Sequence, residues 1–426
     1  MADRSDAFRA PVGMHDVLAP ESRRWRDLVA AFAARAERYG FELVVTPIVE
    51  HREVFERVGE ATDVVRKEMY DFDDKGGRAL ALRPEGTAPV VRAFVQHRPA
   101  LPWKAWYVAP NFRYERPQKG RYRQHWQLGA EVLGVDDPNL DVEVISMAYG
   151  FVRDLGVTQV RVLLNSMGDP STRVAFAEAL RTYFLAHAGD LGDEFRERVE
   201  ANPIRVLDAK RVDWQDVIER APQLTEHLGA DEQAHFEAVQ RGLDALGIDH
   251  ELAPRLVRGL DYYTSTTFEL VGDALDGAQN ALGGGGRYDG LTEEMGGPPT
   301  PGIGFALGIE RLLLAAEAEH TGDDAEEPAL DVFVVDVLGG VEGTVLLHEL
   351  RGSGVRADRA YGGRSMKAQM KVADRSGAAY AVVLAPDEAA RREVSVRNLR
   401  TSEQLAVPRE QVAGWLRLRL EEGSGA

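Results

Sequence analysis

The sequence predicts an α/β protein, in which an antiparallel sheet flanked by helices precedes a smaller α/β domain with a mixed sheet. Two observations favour this fold class. Residues 105–134 have the pattern of a β-hairpin, with apolar and polar side chains in alternation. Beyond residue 330, short apolar segments alternate with segments of helical period. A length of 426 residues fits two or three domains.

The predicted hairpin has one apolar face and one polar face. On the outgoing strand, expected from about residue 122 to residue 132, the polar face holds Arg121, Arg123, His125, Gln127, Gly129 and Glu131. Arg113 and Glu115 share a face of the incoming strand, and residues 116–120 have turn chemistry. Polar faces of antiparallel sheets are often simply solvated, but guanidinium groups in this number suit phosphate oxygens.

These residues resemble motif 2 of class II aminoacyl-tRNA synthetases, in the form found in the histidyl-tRNA synthetase family. The match comprises Phe112-Arg113-Tyr114-Glu115, the loop, and Gln127-Leu128-Gly129-Ala130-Glu131. The resemblance implies a ligase that activates L-histidine with ATP and transfers histidine to the 3′ end of tRNA(His). It also implies the class II antiparallel sheet and an anticodon-binding domain. The alternative is a non-catalytic, histidine-sensing regulatory paralogue of ATP phosphoribosyltransferase.

The amino-acid composition limits which metal and disulfide sites the chain can form and indicates its cellular compartment. The chain has no cysteine, which excludes disulfides, thiolate zinc sites and a cysteine nucleophile but leaves metal sites of histidine and carboxylate ligands open; we assign no side chain as a metal ligand from the sequence. A net charge of −18 argues against indiscriminate nucleic-acid binding, although residues 351–375 hold seven basic and two acidic residues. No apolar run reaches the length of a membrane span, and the start lacks a signal-peptide pattern. We therefore expect a soluble, cytoplasmic protein without membrane contact.

The elements before the hairpin also match the family. An apolar stripe predicts a helix over residues 21–40, and a strand over residues 41–46 ends at Pro47. Together they resemble class II motif 1, which implies a homodimer. Arg83-Pro-Glu-Gly-Thr87 alone reads as a turn in which Thr87 caps a helix, whereas the resemblance implies that Glu85 and Thr87 bind the amino group of histidine.

The middle of the chain is predicted to be helical. A helix over residues 139–155 and a strand over residues 160–165 precede a charged helical region at about 169–246, which is interrupted by the strand-like residues 204–207. The region resembles the helical insertion of bacterial members of the family, although a structural spacer is an alternative. We expect a catalytic domain over residues 1–325 with this insertion, an acidic linker over 317–329 and an anticodon-binding domain over 330–426.

Further motifs complete the resemblance. Residues 256–269 contain Arg258, Tyr262 and Tyr263 and resemble a histidine-specific signature. An arginine in such an apolar segment needs an anionic partner, which the activated amino acid could supply. Residues 283–291 resemble the second histidine signature, and their glycines let backbone approach a ligand. Residues 302–314 resemble motif 3, which contains Arg311.

The resemblance implies a role for each site residue. Arg258 and Arg113 are expected to be catalytic. ATP is expected to be bound, together with Mg²⁺, by Arg113, Glu115, Arg121, His125 and Arg311. Histidine is expected to be bound by Glu85, Thr87, Arg113, Gln127, Glu131, Arg258, Tyr262, Tyr263 and Tyr288. Contacts with tRNA are expected from Arg116, Gln118, Lys119, Arg364, Lys367 and Lys371. Where the family usually stacks a phenylalanine on adenine, this chain has His125 followed by Trp126.

The C-terminal domain is predicted from alternating elements. Strands are expected over residues 330–337, 355–357, 379–384 and 394–398, with helices near 341–352, 365–376 and 408–421. Ser365 is expected to cap the second of these helices. Its residues Met366, Met370 and Ala373 should point inward, while Lys367 and Lys371 share another face.

Overall fold

A computed structural model of the chain describes residues 9–59, 62, 64–207, 209, 211–256, 262–275, 280–320, 330–339 and 341–423. Arg258 lies outside the described residues, as do residues 321–329 of the expected acidic linker. By its internal contacts the chain divides into two compact units, Met1–Thr321 and Gly322–Ala426.

The first unit combines helices and strands throughout its length. Its described helices are α1 (Glu21–Arg38), α2 (Glu53–Gly59), α3 (Thr87–His97), α4 (Pro138–Asp154), α5 (Pro170–His187), α6 (Asp193–Ala201), α7 (Pro203–Val206), α8 (Gln215–Glu219), α9 (Ala230–Ala245), α10 (Leu291–Glu294) and α11 (Ile309–Glu319). Its described strands are β1 (Glu42–Leu43), β2 (Val49–His51), β3 (Tyr70–Asp73), β4 (Ala79–Leu82), β5 (Trp103–Phe112), β6 (Gln124–Leu133), β7 (Val160–Ser166), β8 (His250–Leu252), β9 (Thr264–Gly272), β10 (Ala281–Arg287) and β11 (Gly302–Gly308).

Most of these strands form one large sheet. Within the described residues it has eight strands in the order β1-β5-β6-β11-β10-β9-β7-β8. Within this sheet, only the outer pairs β1–β5 and β7–β8 are parallel among the described pairings. A smaller antiparallel sheet has the order β2-β4-β3. The predicted antiparallel sheet with flanking helices is therefore confirmed.

Strands β5 and β6 form the predicted hairpin, in a register that runs from Trp103↔Leu133 to Phe112↔Gln124. Both strands stop short of the loop residues that were expected to belong to them: β5 ends at Phe112 and β6 begins at Gln124. The expectation that Arg113, Glu115, Arg121 and Arg123 are strand residues is therefore wrong. The backbone carbonyl of Gly13 accepts bonds from the N–H groups of Arg123 and Gln124, at 2.8 and 3.3 Å, so an N-terminal segment engages this part of the chain.

The apolar face of the large sheet forms the main core. Leu28, Phe32 and Ala36 are buried on α1, at the i, i+4, i+8 spacing that predicted the helix. The ring of Phe32 packs edge-on against Trp106 of β5 and Phe151 of α4, with centroid distances of 5.9 and 5.0 Å. Burial of such a side chain contributes about 1.5–3 kcal/mol. The core thus leaves the opposite face of the hairpin for the polar residues.

A buried ion pair joins the sheet to the helices behind it. Nη2 of Arg287, at the end of β10, lies 2.7 Å from Oδ1 of Asp141 on α4, and both side chains are almost fully buried. Nε2 of His235 on α9 lies 2.8 Å from the other oxygen of Asp141. Loss of either member of a buried pair typically costs about 3–5 kcal/mol. This network fixes the segment that continues into Tyr288.

The helical insertion contains one element that the sequence did not predict. Residues 204–207 were expected to be strand-like, but helix α7 spans Pro203–Val206. The Asn202 side chain accepts bonds from the N–H groups of Ile204 and Arg205, at 3.1 and 3.3 Å, and proline suits the first helical position. A local cap therefore overrides the apolar, β-branched composition of this segment.

The second unit contains a five-stranded mixed sheet in its described part. Its helices are α12 (Glu342–Gly352), α13 (Met366–Arg375), α14 (Pro386–Ala390) and α15 (Val412–Gly423). Its strands are β12 (Val332–Asp336), β13 (Ala357–Arg359), β14 (Tyr380–Leu384), β15 (Glu393–Asn398) and β16 (Gln404–Pro408), in the order β13-β12-β14-β15-β16. The first three in this order are parallel and the rest are antiparallel. The predicted mixed sheet is confirmed, but β16 and α14 were not foreseen.

Helix α13 begins at the expected residue, but the residues that it buries against the rest of the domain differ from those expected. Ser365 accepts a bond from the N–H of Ala368 at 3.4 Å, as the predicted cap requires. Met366 is 43% exposed, so the expectation that it points inward is wrong. Gln369 is buried instead, since its amide donates to the carbonyls of Asp336 and Arg364 at 2.6 and 2.8 Å.

Candidate active site

A cavity of about 520 Å³ opens on the polar face of the hairpin. Many of the expected site residues line it together: Glu85, Thr87, Arg113, Glu115, Arg121, His125, Gln127, Tyr262, Tyr263 and Arg311. Glu131 and Tyr288 are fully buried and do not line it. Arg258 lies outside the described residues. Arg116, Gln118 and Lys119 are exposed on the hairpin loop.

Glu85 is held at the amino-terminal end of α3. Its carboxylate accepts bonds from the N–H groups of Thr87 and Ala88, at 2.6 and 2.8 Å, so Glu85 rather than Thr87 caps the helix. Burial raises the pKa of Glu85, while these N–H groups and the Arg113 guanidinium oppose the rise. The hydroxyl of Tyr262 lies 3.5 Å from the same carboxylate. One wall of the cavity therefore presents hydrogen-bond acceptors, which suit an ammonium group.

Glu131 lies behind this wall and is surrounded by hydroxyl groups. The hydroxyls of Thr87, Tyr107 and Tyr288 lie 2.7, 3.2 and 2.6 Å from its carboxylate oxygens. Burial raises the pKa of Glu131 to about 8, although the hydroxyl bonds oppose the rise. Thr87 belongs to both the cavity wall and this cluster. It therefore connects the cavity to the buried carboxylate.

Gln127 is oriented by its neighbour across the hairpin. The side-chain amide of Asn111 on β5 donates to Gln127 Oε1 at 2.6 Å. Asn111 is fully buried and Gln127 is partly exposed to the cavity. The Gln127 amide is thus held in one orientation beside Glu85 and Thr87.

The other end of the cavity is lined by guanidinium groups. Arg311 donates to the carbonyls of Gly120 and Ala281 at 3.1 and 2.6 Å. Arg113 donates to the carbonyl of Pro84 at 2.9 Å, and Arg121 forms an ion pair with Glu115. Burial and the nearby Arg121 guanidinium lower the pKa of Arg311, which nevertheless stays protonated because arginine titrates so high. Partly buried like charges at this end favour an anionic ligand.

His125 stands among these arginines as a neutral ring. Burial, and then the positive charges of Arg113 and Arg311, lower its pKa to about 3. Trp126 faces the other way, with its ring packed edge-on against Trp25 at 5.3 Å. Since strand neighbours point to opposite faces, His125 is the ring available for stacking in the cavity and Trp126 belongs to the core.

Two further carboxylates in the cavity were missed in the sequence. Glu269 on β9 and Glu310 at the start of α11 both line it. Glu310 accepts bonds from the Trp126 N–H at 2.9 and 3.2 Å, and burial raises its pKa to about 7. A glutamate between the apolar residues Phe268 and Leu270 of strand β9 was a detectable signal for Glu269. The position of Glu310 depended on the partner segment, which the sequence does not reveal.

The glycines of β10 serve strand packing as well as the cavity. A Cβ atom at Gly283 or Gly285 would overlap backbone atoms of the facing strand β11. Gly283 and Gly284 also line the cavity. We expect these glycines to let the backbone approach a ligand. The structure gives a second reason for glycine here, because strands β10 and β11 lie too close together for a side chain.

A separate basic surface lies on the second unit. Arg364, Lys367 and Lys371 are exposed at the start of α13. Tyr361, which precedes them, is also exposed, and Gly362 and Gly363 adopt positive φ angles of 86° and 59°. A cluster of cations beside an exposed aromatic ring is typical of surfaces that bind single-stranded nucleic acid.

Comparisons with known proteins agree with this geometry. Residues 13–312 match a family model described as histidyl-tRNA synthetase, and residues 337–419 match one described as an anticodon binding domain. The chain is 46% identical to the histidine–tRNA ligase of Geobacillus kaustophilus, over 97% of this chain and 99% of the relative. It is 47% identical to that of Nocardia farcinica, over 98% and 99% of the two chains. The solved structure of apo S. aureus histidyl-tRNA synthetase matches with a TM-score of 0.81 and 36% identity, over 96% of this chain and 99% of that chain.

The raised pKa of Glu131 predicts that the free protein becomes less stable as pH rises. Between the usual glutamate value of 4.5 and about 8, the folded protein binds more protons at this site than the unfolded chain, so the free energy of unfolding falls with pH. Replacement Glu131→Gln removes this titration and should reduce the fall by roughly 5 kcal/mol across the window. Urea unfolding at several pH values measures it.

The exposed Glu178→Gln variant on α5 serves as the control, since Glu178 pairs with Arg181 at the surface. It should keep the wild-type pH dependence. If Glu131→Gln also kept it, the Glu131 carboxyl would not be the group that titrates.

Proposed function

The chain belongs to the histidyl-tRNA synthetase family, and from that premise we propose how its cavity performs the reaction. The protein is a histidine–tRNA ligase, which activates L-histidine with ATP and transfers the histidyl group to tRNA(His). Relatives with this activity match along the full chain, and an anticodon-binding domain is present. Both findings favour the ligase over the regulatory paralogue. The assignment of individual residues rests on one observation: the cavity has Glu85 and Thr87 at one end, and at the other end Arg113, Arg121 and Arg311, accompanied by Glu115, Glu269 and Glu310.

Histidine would occupy the end that contains Glu85 and Thr87. Glu85, Thr87 and Gln127 together offer acceptor oxygens for its ammonium group. Glu131 and Tyr263 would bond the two ring nitrogens, with Tyr262 and Tyr288 packed beside the ring. A site that hydrogen-bonds both nitrogens rejects amino acids that lack them, because its own buried groups would stay unpaired. Selection of histidine then needs no separate editing reaction.

ATP would occupy the end with the arginines. Arg113 would bind the α-phosphate, and Arg121 and Arg311 the γ-phosphate, with Glu115 near the adenine or a Mg²⁺-linked group. The Arg121 side chain is 46% exposed, so its ion pair with Glu115 is weak enough to exchange for a phosphate. His125, neutral and flat, would stack on the adenine.

Activation proceeds by attack of the histidine carboxylate on the α-phosphorus of ATP, with release of pyrophosphate. Such a step needs positioning and neutralisation of charge more than a protein nucleophile. Arg113 supplies positive charge at the α-phosphate. Arg258 would bridge the carboxylate and the α-phosphate, and because it is always protonated it can stabilise charge but cannot act as a base.

Magnesium fits the donors in the cavity. Glu115 and Glu269 offer carboxylate oxygens in the same cavity as the arginines. Mg²⁺ keeps several waters and is usually bound by one or two carboxylates and substrate phosphates. Among the residues that the structure describes, no group of three or more potential ligands forms a ready metal site. Glu115 and Glu269 would hold a Mg²⁺ bound together with ATP, and the ion would supply positive charge at the phosphates; chelation of Mg²⁺ should then stop activation.

Two surfaces would contact tRNA. Arg116, Gln118 and Lys119 are exposed on the hairpin loop next to the cavity, where the 3′ end must arrive. Arg364, Lys367 and Lys371 are exposed on the second unit and suit the phosphates of the anticodon arm. The rest of the chain is acidic, so phosphate contacts are confined to these patches.

A homodimer is supported by exposed apolar side chains beside the edge strand β1. Leu43, Val45 and Ile48 are exposed, with Val45 at 85%. Leu43 and Val45 line a cavity of about 490 Å³ between this segment and α3. An apolar patch next to a strand that lies at the edge of the sheet among the described residues is suited to self-association, which measurement of particle mass in solution would test.

No described helix of the chain has the length and apolar character of a membrane span. We propose a cytoplasmic location on other grounds, because charged tRNA is consumed by ribosomes in that compartment.

Histidine-dependent exchange of pyrophosphate into ATP, followed by charging of tRNA, tests the proposed reaction. Arg258→Ala should lower kcat of exchange by roughly 100-fold or more, while KM for histidine and ATP change much less, because Arg258 acts where charge develops. Arg181→Ala on the insertion should leave exchange unchanged, since its guanidinium pairs with exposed Glu178. If a folded Arg258→Ala variant had normal kcat, Arg258 would not be a catalytic residue.

His125 gives a second test, directed at ATP. His125→Phe should leave KM for ATP the same or lower, because a larger uncharged ring is restored. His125→Ala should raise KM for ATP roughly 10-fold, while KM for histidine stays within about twofold. Steady-state exchange kinetics measure both constants, and an unchanged KM for ATP in the alanine variant would end the stacking assignment.

Substitution of the exposed lysines on α13 separates RNA binding from activation. Lys367→Ala with Lys371→Ala should weaken tRNA binding and lower the salt slope of log K by roughly 1 for each phosphate that is no longer neutralised. Pyrophosphate exchange should be unaffected. Lys75→Ala, in an exposed turn of the first unit, is a control for the loss of a surface lysine elsewhere. Equal tRNA affinity in the double variant and the control would exclude this surface.

A further inference from the structure

We propose that Tyr107 is a positioning residue for histidine recognition: its hydroxyl fixes the Glu131 carboxylate so that one acceptor position remains for an imidazole N–H. The inference rests on the proposed role of Glu131 in binding the histidine ring. It adds a residue that belongs to none of the sequence motifs and that does not line the cavity.

The hairpin register brings Tyr107 to Glu131. Tyr107 on β5 pairs with Gly129 on β6, two residues from the pair Ala105↔Glu131, so both side chains share a face. Tyr107 is 3% exposed, and its hydroxyl lies 3.2 Å from Oε1 of Glu131. A buried phenol requires a hydrogen-bond partner, and here the partner is a site carboxylate.

Glycines leave the space that the Tyr107 ring and the Glu131 carboxylate occupy. A Cβ atom at Gly129 or Gly86 would overlap the Tyr107 ring. A Cβ atom at Gly304 on β11 would overlap the Glu131 carboxylate. Side chains confined in this way have few alternative rotamers, because interiors are packed at near-crystalline density. The hydroxyl of Tyr107 is therefore held on Glu131.

The number of acceptor positions links this geometry to specificity. An ionised carboxylate offers about four lone-pair positions, two on each oxygen. Among the described residues, Thr87 and Tyr107 donate to Oε1, and Tyr288 donates to Oε2. One position on Oε2 then remains, which matches a single N–H of an imidazole ring. Without the Tyr107 hydroxyl, Oε1 would have a second open position and the carboxylate could turn.

The contacts of the Glu131 carboxylate also determine its pKa, and with it the pH dependence of histidine affinity. The titratable groups that face Glu131 are Glu85 before α3, Tyr107 on β5, Tyr288 after β10 and Tyr262 before β9. Burial raises the pKa of Glu131 to about 8, and bonds from the hydroxyls of Tyr288, Thr87 and Tyr107 lower it. Loss of the Tyr107 hydroxyl therefore raises this pKa further. Because an N–H donor prefers the carboxylate, histidine affinity should increase with pH through this pKa.

Tyr107→Phe tests the proposal, since the ring still fills the space beside Gly86 and Gly129. We expect KM for histidine in pyrophosphate exchange to rise roughly 3- to 10-fold while KM for ATP is unchanged, the size expected for one neutral hydrogen bond. The pH midpoint of histidine affinity should move upward. The matched control is Tyr183→Phe, which removes a hydroxyl bonded to the Val217 carbonyl at 3.2 Å in the insertion, and it should match wild type.

A Tyr107→Phe variant that folds normally by circular dichroism, yet keeps the wild-type histidine KM and pH midpoint, would overturn the proposal. An equal rise in KM for ATP would overturn it too, because it would indicate a general structural effect. The variant Glu131→Gln distinguishes a failure of the role of Tyr107 from a failure of the role of Glu131. If Glu131→Gln weakens histidine binding and Tyr107→Phe does not, only the role of Tyr107 fails. If neither affects histidine binding, the proposed role of Glu131 itself fails.

Discussion

The burial of the Glu131 carboxylate is the constraint on which the histidine end of the cavity depends. A carboxylate in this place is costly unless donors surround it, and its described donors are hydroxyl groups from a helix start, a strand and a loop. Those three elements must therefore meet at one point. Three features bring them together: the register of the hairpin, the helix cap at Glu85 and the position of Tyr288.

The buried ion pair between Arg287 and Asp141 stabilises the position of one of these hydroxyl donors, Tyr288. It anchors the end of β10 to α4, so the next residue, Tyr288, is directed at Glu131 with its hydroxyl at 2.6 Å. At the other end of the cavity, Arg113 and Arg311 are held by backbone carbonyls before any ligand arrives. Donors and charges that are fixed in advance need little rearrangement during the reaction, which is an effective way to stabilise developing charge.

Strand periodicity made much of the site predictable from the sequence. Alternation along β6 correctly separates His125, Gln127 and Glu131 from Trp126 and the core residues. The ends of the strands were not predictable, because the N–H of Arg123 bonds to Gly13, more than a hundred residues earlier. Glu310 and Tyr107 were missed for the same reason: their partners lie on distant segments, and local pattern does not reveal them. Met366 was misplaced because Gln369 takes the buried position.

A crystal structure of the protein with histidine bound would test the central claim most directly, namely that Glu131 and its hydroxyl donors recognise the imidazole ring. The account predicts one ring nitrogen within about 2.6–3.2 Å of Oε2 of Glu131, with the hydroxyls of Thr87, Tyr107 and Tyr288 still bonded to the carboxylate. A histidine ring bonded elsewhere in the cavity, with Glu131 still covered by the cavity wall, would contradict it.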